Sequence, residues 1–466
     1  MYPTSNGGDD FVHKSSASPV AQILFKSFDG GVEARGQLKC PDRYRYLTSD
    51  ESGKKLISRG AGLSYSAASF CEGVLSVKHS AFNRVIDFDS EHHIVEVEPG
   101  IELSTLHNFL FSRGLFLPIQ PGHGRITVGG CIAADVHGKN HAKDGTFINQ
   151  VVELNLFHPD HGLITLSPEV EPELFRLTCG GYGLTGHIVR VKLRARPLNA
   201  NGVRLNVVPV QGVLLGVKHL ASMALGADFV YTWHDFMDTT SSFGRGYIFL
   251  SNFVSIDDEK DAPARNKNVR VISPKISSIS RAAWRLPLFN RWTAKILNYA
   301  YHTKQSSMGY ERDISLADAL FPVHDAQFYF KLFGQRGFHE YQVIVPLEFI
   351  EGFLDSIRDY LSLHPLAVTL ASAKLFRGQP ELIRFTGDGV CFSLNFPRTK
   401  EAQAFLNFLD QLIVRIGGIP NIIKDSRLPL HVLEACYPNV YQFREQLRAF
   451  DPKRIFCSEI SERLKL

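Results

Sequence analysis

Three glycine-rich stretches in the first half of the chain constrain its fold more than any other sequence feature. They are Arg59-Gly60-Ala61-Gly62-Leu63-Ser64-Tyr65, residues 121–138, and residues 180–186. Glycine adopts φ angles that other residues disfavour, and its lack of a side chain lets backbone N–H groups approach a ligand closely. The stretches therefore predict either a site for a large or phosphate-bearing molecule, or tight turns without a ligand.

The third stretch contains the pattern G-x-G-x-x-G, as Gly181-Tyr182-Gly183-Leu184-Thr185-Gly186. In the dinucleotide-binding fingerprint a strand precedes this pattern and a helix follows it, so that the helix N-terminus faces the pyrophosphate. Here the order is reversed, because residues 173–178 are predicted to be helical and 187–193 to form a strand. We expect a tight turn here, not a dinucleotide site of that type.

The middle stretch combines small residues with histidines. Small side chains from 129 to 134 would let a flat or bulky group lie against the backbone, and Thr127 is suited to cap a helix. His123, His137 and His141 raise the possibility of a metal site, but no carboxylate pair or cysteine completes a ligand set. Histidines held in a loop by hydrogen bonds are the alternative, and we expect no metal.

Length and composition limit the class of protein. A chain of 466 residues exceeds the ~250–300 residues at which single cores stop growing, so two or more domains are expected. Its 44% hydrophobic and 21% charged residues are typical of a globular protein, and a net charge of +4 is too balanced for one that coats nucleic acid. Seven scattered cysteines, the lack of a bilayer-spanning apolar run and the lack of a signal-peptide pattern predict a cytoplasmic protein.

The pattern of strands and helices changes near Pro197. Before it, short β-rich runs alternate with turns, and the sequence predicts an amphipathic helix at 103–113 and a hairpin at 151–166. After it, longer strands and two long helices predict an antiparallel sheet covered by helices. These strands are 229–233, 327–331, 341–345, 367–376 and 390–396, and the helices are 347–363 and 400–416. Residues 255–315, which are basic, serine-rich and aromatic, are expected to form a mobile excursion over a site.

Taken together, the three stretches resemble the vanillyl-alcohol-oxidase, or PCMH-type, family of FAD-binding proteins. That family carries, in this order, R-G-x-G-x-S-Y, P-G-x-x-x-x-T-V-G-G-x-x-x-x-x-x-H-G and G-G-x-G-L-T-G, and this chain has all three. The resemblance implies an α+β fold with a two-part FAD-binding domain and a substrate domain whose antiparallel sheet is covered by helices. The implied divisions are a flexible arm at 1–20, the FAD-binding domain at 21–198, the substrate domain at 199–416 and a C-terminal segment at 417–466 that returns to the FAD domain.

The resemblance also implies which residues hold FAD. The first stretch would bind the pyrophosphate, the second would line the flavin, and Ile188 would contact the adenosine side. Many relatives attach FAD covalently through a histidine in the first stretch; this chain has none there, so we expect non-covalent FAD. The implied cofactor-binding residues are Arg59, Gly60, Ala61, Gly62, Leu63, Ser64, Tyr65, Gly122, Thr127, Val128, Gly129, Gly130, Ala134, His137, Ile188 and Asn421.

Further stretches resemble the branch of this family that oxidises the 2′-hydroxyl of polyprenyl-phosphoryl-β-D-ribose. They are His137-Gly138-Lys139-Asn140-His141, Tyr341-Gln342-Val343-Ile344-Val345-Pro346, Lys374-Leu375-Phe376, Asn395-Phe396-Pro397, Lys424-Asp425-Ser426-Arg427, Tyr437-Pro438 and Asp451-Pro452. This implies oxidation of a sugar alcohol to a ketone, as the oxidising half of a 2′-epimerisation for arabinose and cell-wall synthesis. A partner NAD(P)H-dependent ketoreductase would return hydride to the opposite face.

Lys424 matches the catalytic lysine of that branch. An ammonium group near the flavin stabilises the negative charge that arrives with the hydride, whereas the alternative is a solvated lysine paired with Asp425. The base that takes the hydroxyl proton stays open between His137 and Lys424. The implied sugar-binding residues are Tyr65, Lys139, Gln342, Lys374, Ser393 and Asn395.

Three positions depart from the branch. Ser393 stands where it has a cysteine, Asn395 where it has an aspartate, and Asn421 where it has an aromatic residue. The flavin chemistry therefore carries over more safely than the substrate. Alternatives are an aldonolactone or carbohydrate oxidase that reduces O₂, and a binding protein that keeps the fold without the chemistry. A lipid substrate would add peripheral membrane contact through the basic, aromatic region 267–304, for which a solvated loop is the alternative.

Overall fold

The computed structural model describes residues 20–47, 53–255, 286–322 and 327–466. The arm predicted at 1–20 lies outside the described residues except for Val20, and so do residues 256–285 of the predicted excursion. Across the described ranges, no helix combines the length and the apolar character needed to cross a membrane.

A four-stranded sheet has the first glycine-rich stretch between its last two strands. Its strands are β1 (Val20–Lys26), β2 (Glu33–Lys39), β3 (Leu56–Arg59) and β4 (Leu75–Lys78). They lie in the order β1-β2-β4-β3; β1 and β2 are antiparallel and the other pairs parallel. The C-terminal segment lies along the β3 edge, where the Leu56 N–H donates to the Ile455 carbonyl at 2.7 Å and the Cys457 N–H donates to the Leu56 carbonyl at 3.0 Å.

The second sheet is antiparallel throughout. Its strands, in sheet order, are β5 (Val85–Asp89), β6 (Ile94–Val97), β10 (His187–Arg194), β8 (Val151–His158) and β9 (Gly162–Leu166), and a separate pair joins β7 (Leu115–Phe116) to β11 (Arg196–Pro197). The predicted hairpin is confirmed, since β8 pairs with β9 across a turn in which Gly162 has φ +71°. The predicted helix is observed at Leu103–Phe111, which buries its leucines against this sheet's core.

The third glycine-rich stretch is a tight turn between the helix Pro172–Thr178 and β10, as predicted. Gly180, Gly183 and Gly186 have φ angles of +85°, +80° and +144°. Only glycine adopts such angles without strain, so the pattern serves the backbone path of this turn.

Eight strands form the largest sheet, and all of their pairings are antiparallel, as predicted. In chain order they are β12 (Ala200–Val210), β13 (Phe229–His234), β14 (Gly246–Ser255), β15 (Glu311–Ile314), β16 (Phe338–Val345), β17 (Leu370–Phe376), β18 (Gly389–Pro397) and β19 (Ile419–Pro420). Their order in the sheet is β15-β12-β14-β13-β17-β18-β16-β19. The strand predicted at 327–331 is wrong, because Gln327–Lys331 is a helix. Periodicity does not separate helix from strand in so short an apolar run.

Helices cover this sheet and share its main core. One of them, Lys400–Ile416, begins where the Thr399 side chain accepts the Ala402 N–H and ends at Gly417, which has φ +67°. The helix predicted at 347–363 starts with a 3₁₀ turn, Leu347–Phe349, and continues as Ile350–Leu363. Other described helices are Tyr44–Leu47, Val128–Ala133, His141–Asp144, Val213–Met223, Arg291–Ser307, Leu316–Leu320, Leu430–Cys436, Val440–Phe450 and Glu459–Leu464, with a 3₁₀ turn at Phe147–Gln150.

Candidate active site

A cavity of about 1060 Å³ lies between the glycine-rich stretches and the largest sheet. Sites for drug-sized ligands usually measure ~300–1,000 Å³, so this cavity has room for a larger molecule. Every residue predicted to bind cofactor or substrate lines it, except Val128. The Val128 side chain is instead fully buried in the core of the second sheet, and its N–H donates to the Ile101 carbonyl at 3.0 Å.

The first stretch lies close against the second. A Cβ atom added to Gly60 would stand 2.3 Å from Thr127 Oγ1, and Gly62 has φ +70°. The Ser64 hydroxyl, expected as a ligand donor, donates instead to the Ser66 carbonyl at 2.6 Å. The Arg59 guanidinium donates to Ser69 Oγ at 2.7 Å, and burial lowers its pKa. The Ser64 hydroxyl and the Arg59 guanidinium are therefore both engaged by groups of the protein.

The second stretch turns sharply after its short helix. Thr127 caps Val128–Ala133 by accepting the Gly130 N–H at 3.2 Å. Asp135 follows with φ +41°; it is buried, accepts the Ile148 N–H at 2.9 Å, and lies 3.2 Å from the Arg384 guanidinium. Burial raises the pKa of this carboxyl group, and the arginine opposes the shift. These contacts fix the loop that leads into His137.

His137 lines the cavity and is half-buried there. Burial lowers its pKa well below the ordinary value, and the positive charge of Lys374 adds to the effect. Its Nδ1 lies 3.1 Å from the Gly138 carbonyl oxygen, which can only accept, so the proton is assigned to Nδ1. The other ring nitrogen, Nε2, is then left with a lone pair, as a general base requires.

Lys424 is held by a carboxylate that the sequence motifs did not identify. Its Nζ lies 3.0 Å from Glu340 Oε1 and 3.7 Å from the centre of the Tyr65 ring. Burial raises the pKa of Tyr65 well above its ordinary value, and a hydrogen bond with Glu340 adds to this. The alternative of a lysine paired with Asp425 is wrong, because Asp425 pairs with Arg427 at 3.1 Å.

Glu340 is the main residue of the cavity that the sequence motifs do not contain. It lies two residues before Gln342 on β16, and side chains two apart on a strand share a face, so strand periodicity could have identified it. The other missed lining residues are mostly aromatic or hydroxylic and have no motif. Examples are Tyr231, Thr232, Trp233, Tyr301, Tyr329, Phe330, Thr369 and Ser372.

Amide and hydroxyl groups on neighbouring strands form one polar side of the cavity. Gln342 donates to Ser393 Oγ at 2.7 Å and accepts from the Asn421 side chain, while the Asn421 N–H donates to the Gln342 carbonyl at 2.8 Å. Asn395 is buried nearby, and its Oδ1 accepts no hydrogen bond from the described residues. An unpaired buried acceptor of this kind suits a ligand hydroxyl group.

Two further lysines line the same cavity. Lys374 lies on β17, and burial lowers its pKa, assisted by the nearby charge of Lys424. Lys139 donates to the carbonyls of Ala319 and, at 3.0 Å, Leu320, and burial also lowers its pKa well below the ordinary value. Lys139 is therefore tied to the backbone at the end of the helix Leu316–Leu320. Within the described ranges, no cluster of three or more His, Cys, Asp or Glu side chains is arranged to hold a metal ion.

The cavity fits FAD on its own features: sufficient volume, glycine backbone on one side and polar groups on the other. Residues 47–167 match a family model described as an FAD binding domain. Fold, cavity and domain match together indicate an FAD-dependent oxidoreductase that acts on alcohol groups.

Similar proteins include a decaprenylphosphoryl-beta-D-ribose oxidase from Mycolicibacterium smegmatis, which is 28% identical over 428 residues, covering 90% of this chain and 91% of the relative. Two sugar-lactone oxidases match only part of the chain. A D-arabinono-1,4-lactone oxidase from Eremothecium gossypii is 28% identical over 39% of this chain and 36% of its own length. An L-gulonolactone oxidase from Mus musculus is 31% identical over 32% and 33%.

Proposed function

We propose that this protein oxidises the 2′-hydroxyl of a polyprenyl-phosphoryl-β-D-ribose to a ketone. The observation that carries the proposal is the convergence of Lys424, Glu340, Tyr65 and His137 on the cavity that the glycine-rich stretches also line. The relative named decaprenylphosphoryl-beta-D-ribose oxidase supports the substrate class, because the likeness extends through both halves of the chain. The lactone oxidases match only about a third of this chain.

The charges in the cavity suggest a separate role in the oxidation for Lys424 and for His137. Bound FAD supplies the hydride acceptor. The Lys424 side chain, kept in place by Glu340, contributes a positive charge that stabilises the negative charge developing in the transition state. His137, neutral and with Nε2 available, accepts the hydroxyl proton as the C=O bond forms. This assigns the base to His137 and leaves Lys424 as the electrostatic and positioning group.

The remaining polar groups would orient the sugar. Gln342, Ser393 and Asn421 bond to one another, so they present a rigid array, and the Asn395 Oδ1 acceptor is available for a sugar hydroxyl. Lys374 offers N–H donors for a phosphate group in the same cavity, whereas the N–H groups of Lys139 already donate to the Ala319 and Leu320 carbonyls. A phosphoryl pentose combines the hydroxyl groups and the anionic charge that this lining would recognise.

The test is anaerobic mixing of the purified flavoprotein with polyprenyl-phosphoryl-ribose while the visible flavin absorbance is followed. Wild type should bleach, Lys424→Ala should bleach ~100- to 1,000-fold more slowly, and the exposed Lys453→Ala should match wild type. A bound flavin that stays oxidised with this substrate would overturn the substrate assignment. A preparation that binds no flavin would favour the alternative of a binding protein without the chemistry.

The electron acceptor distinguishes this function from that of a lactone or carbohydrate oxidase. An oxidase would release hydrogen peroxide in air at the rate of flavin turnover and would be reduced by an aldonolactone. We expect slow peroxide release and faster turnover with a quinone-like acceptor. Peroxide formation that keeps pace with lactone oxidation would support the oxidase instead.

The product would be a 2′-ketone that a partner NAD(P)H-dependent ketoreductase reduces to the arabinose epimer. Treating the product with borodeuteride should place one deuterium at carbon 2 of the pentose and give both epimers. Deuterium at another carbon would assign the oxidation to a different hydroxyl group.

A further inference from the structure

The helix Arg291–Ser307 has its large apolar side chains on the outside. Trp292 is 80% exposed, Ile296 65% and Tyr299 63%. With spacings of four and three residues they form one stripe along the helix. A surface helix normally turns such a stripe toward the core, so the arrangement here is inverted and indicates a surface that binds something apolar.

The opposite side of the helix is fixed to the protein by small and polar groups. Its buried residues are Ala294, Asn298 and Gln305. Asn298 donates to Asp235 Oδ1 at 2.9 Å, and the Tyr247 hydroxyl donates to the His302 carbonyl at 3.0 Å. These polar contacts fix the rotation of the helix about its own axis. The apolar stripe therefore faces away from the protein.

The charged side chains of the helix itself are all basic. Residues 286–310 contain Arg291, Lys295 and Lys304 and no acidic residue. At 100° per residue, Arg291 and Lys295 lie on one side of the stripe and Lys304 lies on the other. Basic residues that flank exposed tryptophan, isoleucine and tyrosine are typical of helices that lie in the interface of anionic membranes.

The same helix also forms part of the cavity wall. Leu297, Tyr301 and Lys304 line the cavity, on the side of the helix between the outer stripe and the buried contacts. A bilayer in contact with the stripe would therefore lie beside the cavity. A lipid-linked sugar could then place its head group in the cavity while its chain stays in the membrane.

We propose that the helix Arg291–Ser307 docks on an anionic lipid bilayer, with Trp292, Ile296 and Tyr299 in the interfacial layer. The proposal rests on the proposed function only in the reason that it gives for docking, which is access to a lipid-linked substrate. The contact itself requires no catalysis. It can therefore be tested apart from the reaction.

The experiment is flotation of the flavin-loaded protein with vesicles of phosphatidylglycerol and phosphatidylcholine, or of phosphatidylcholine alone. Wild type should float with the anionic vesicles and less with the neutral ones. Trp292→Ser/Ile296→Ser/Tyr299→Ser should lose at least about tenfold in vesicle partitioning. The matched control, Leu163→Ser/Leu225→Ser/Leu363→Ser, removes side chains that are 65%, 61% and 76% exposed elsewhere and should float like wild type.

A separate variant tests the electrostatic contribution to membrane binding. Arg291→Gln/Lys295→Gln should weaken binding to anionic vesicles by about fivefold per removed charge, and added salt should weaken wild type in the same way. Each variant should keep one flavin per chain, which checks that it is folded. A wild type that does not float, or a triple variant that floats as well as wild type, would overturn the proposal.

Two other outcomes are distinguishable. Light scattering that finds a wild-type dimer and a monomeric triple variant would assign the stripe to a second copy of the chain, and so contradict membrane docking. If wild type floats but its flavin is not reduced by the sugar lipid, the proposed function would be contradicted, whereas the proposal of membrane docking would be supported.

Discussion

Lys424 Nζ lies 3.0 Å from Glu340 Oε1, and the sheet explains why two residues so far apart in sequence meet. Strand β19 runs antiparallel to β16, with Pro420 opposite Val343. The pairing extends to Asn421, whose N–H donates to the Gln342 carbonyl at 2.8 Å, and a turn follows in which the Lys424 N–H donates to the Asn421 carbonyl at 3.1 Å. Strand pairing and this turn together bring Lys424 to Glu340 and place its ammonium group over the Tyr65 ring at the cavity.

Removing the charge of Glu340 tests what the ion pair does. We expect Glu340→Gln to slow flavin reduction by ~10- to 100-fold, because Lys424 loses the carboxylate that positions it, while Lys424→Ala is slower still. Rapid-mixing kinetics measure both rates. Glu348→Gln, an exposed carboxylate beyond the end of the same strand, is the control and should react like wild type. Equal rates for Glu340→Gln and wild type would show that the pair is dispensable.

The pH dependence of flavin reduction tests His137 as the base. Burial lowers its pKa well below 6.5, so the reactive neutral form predominates at every pH above that lowered value. We therefore expect the reduction rate to stay level from about pH 8 down to about pH 6, where an ordinary histidine would already be mostly protonated. A rate that falls with a midpoint near the ordinary histidine value would contradict this.

The variant His137→Gln keeps a side chain that can donate to the Gly138 carbonyl but cannot take a proton. It should slow reduction by ~100- to 10,000-fold without loss of FAD. The solvent-exposed His92→Gln serves as the matched control.

Gly60 tests the packing of the two FAD-binding stretches. A methyl group at this position would stand 2.3 Å from Thr127 Oγ1, so Gly60→Ala should weaken FAD binding by at least about tenfold. Adding Thr127→Ala should recover part of the loss, whereas adding Thr127→Ser, which keeps the oxygen, should not. Gly352→Ala, on a helix with nothing within 4 Å of the added atom, should leave FAD affinity unchanged and stabilise the protein by ~1 kcal/mol. Titration of the stripped protein with FAD measures all four.

Much of the site could be predicted from the sequence because the glycine-rich stretches act locally. Gly60 is required because Thr127 approaches its Cα closely, and Gly62 is required because its φ angle is positive. Both requirements select glycine, so they can be read from the sequence. Glu340 belongs to no sequence motif, and its contact with Lys424 depends on the pairing of β16 with β19, which the sequence does not reveal. Val128 shows the opposite case: a residue inside a motif that packs into the core. The helix Gln327–Lys331 was missed because short aromatic runs carry no period.

The positions of the histidines near the cavity predict that FAD is attached non-covalently. None lies in 59–65, while His79 and His137 line the cavity. The His79 ring contacts His187 Nδ1 at 3.4 Å, and the His137 ring bonds to Gly138, so both rings have partners within the protein. Acid precipitation should release all of the flavin into the supernatant, and returning FAD to the stripped protein should raise its Tm by mass action. A yellow pellet would contradict the prediction, and comparing His79→Ala with His137→Ala would then locate the bond.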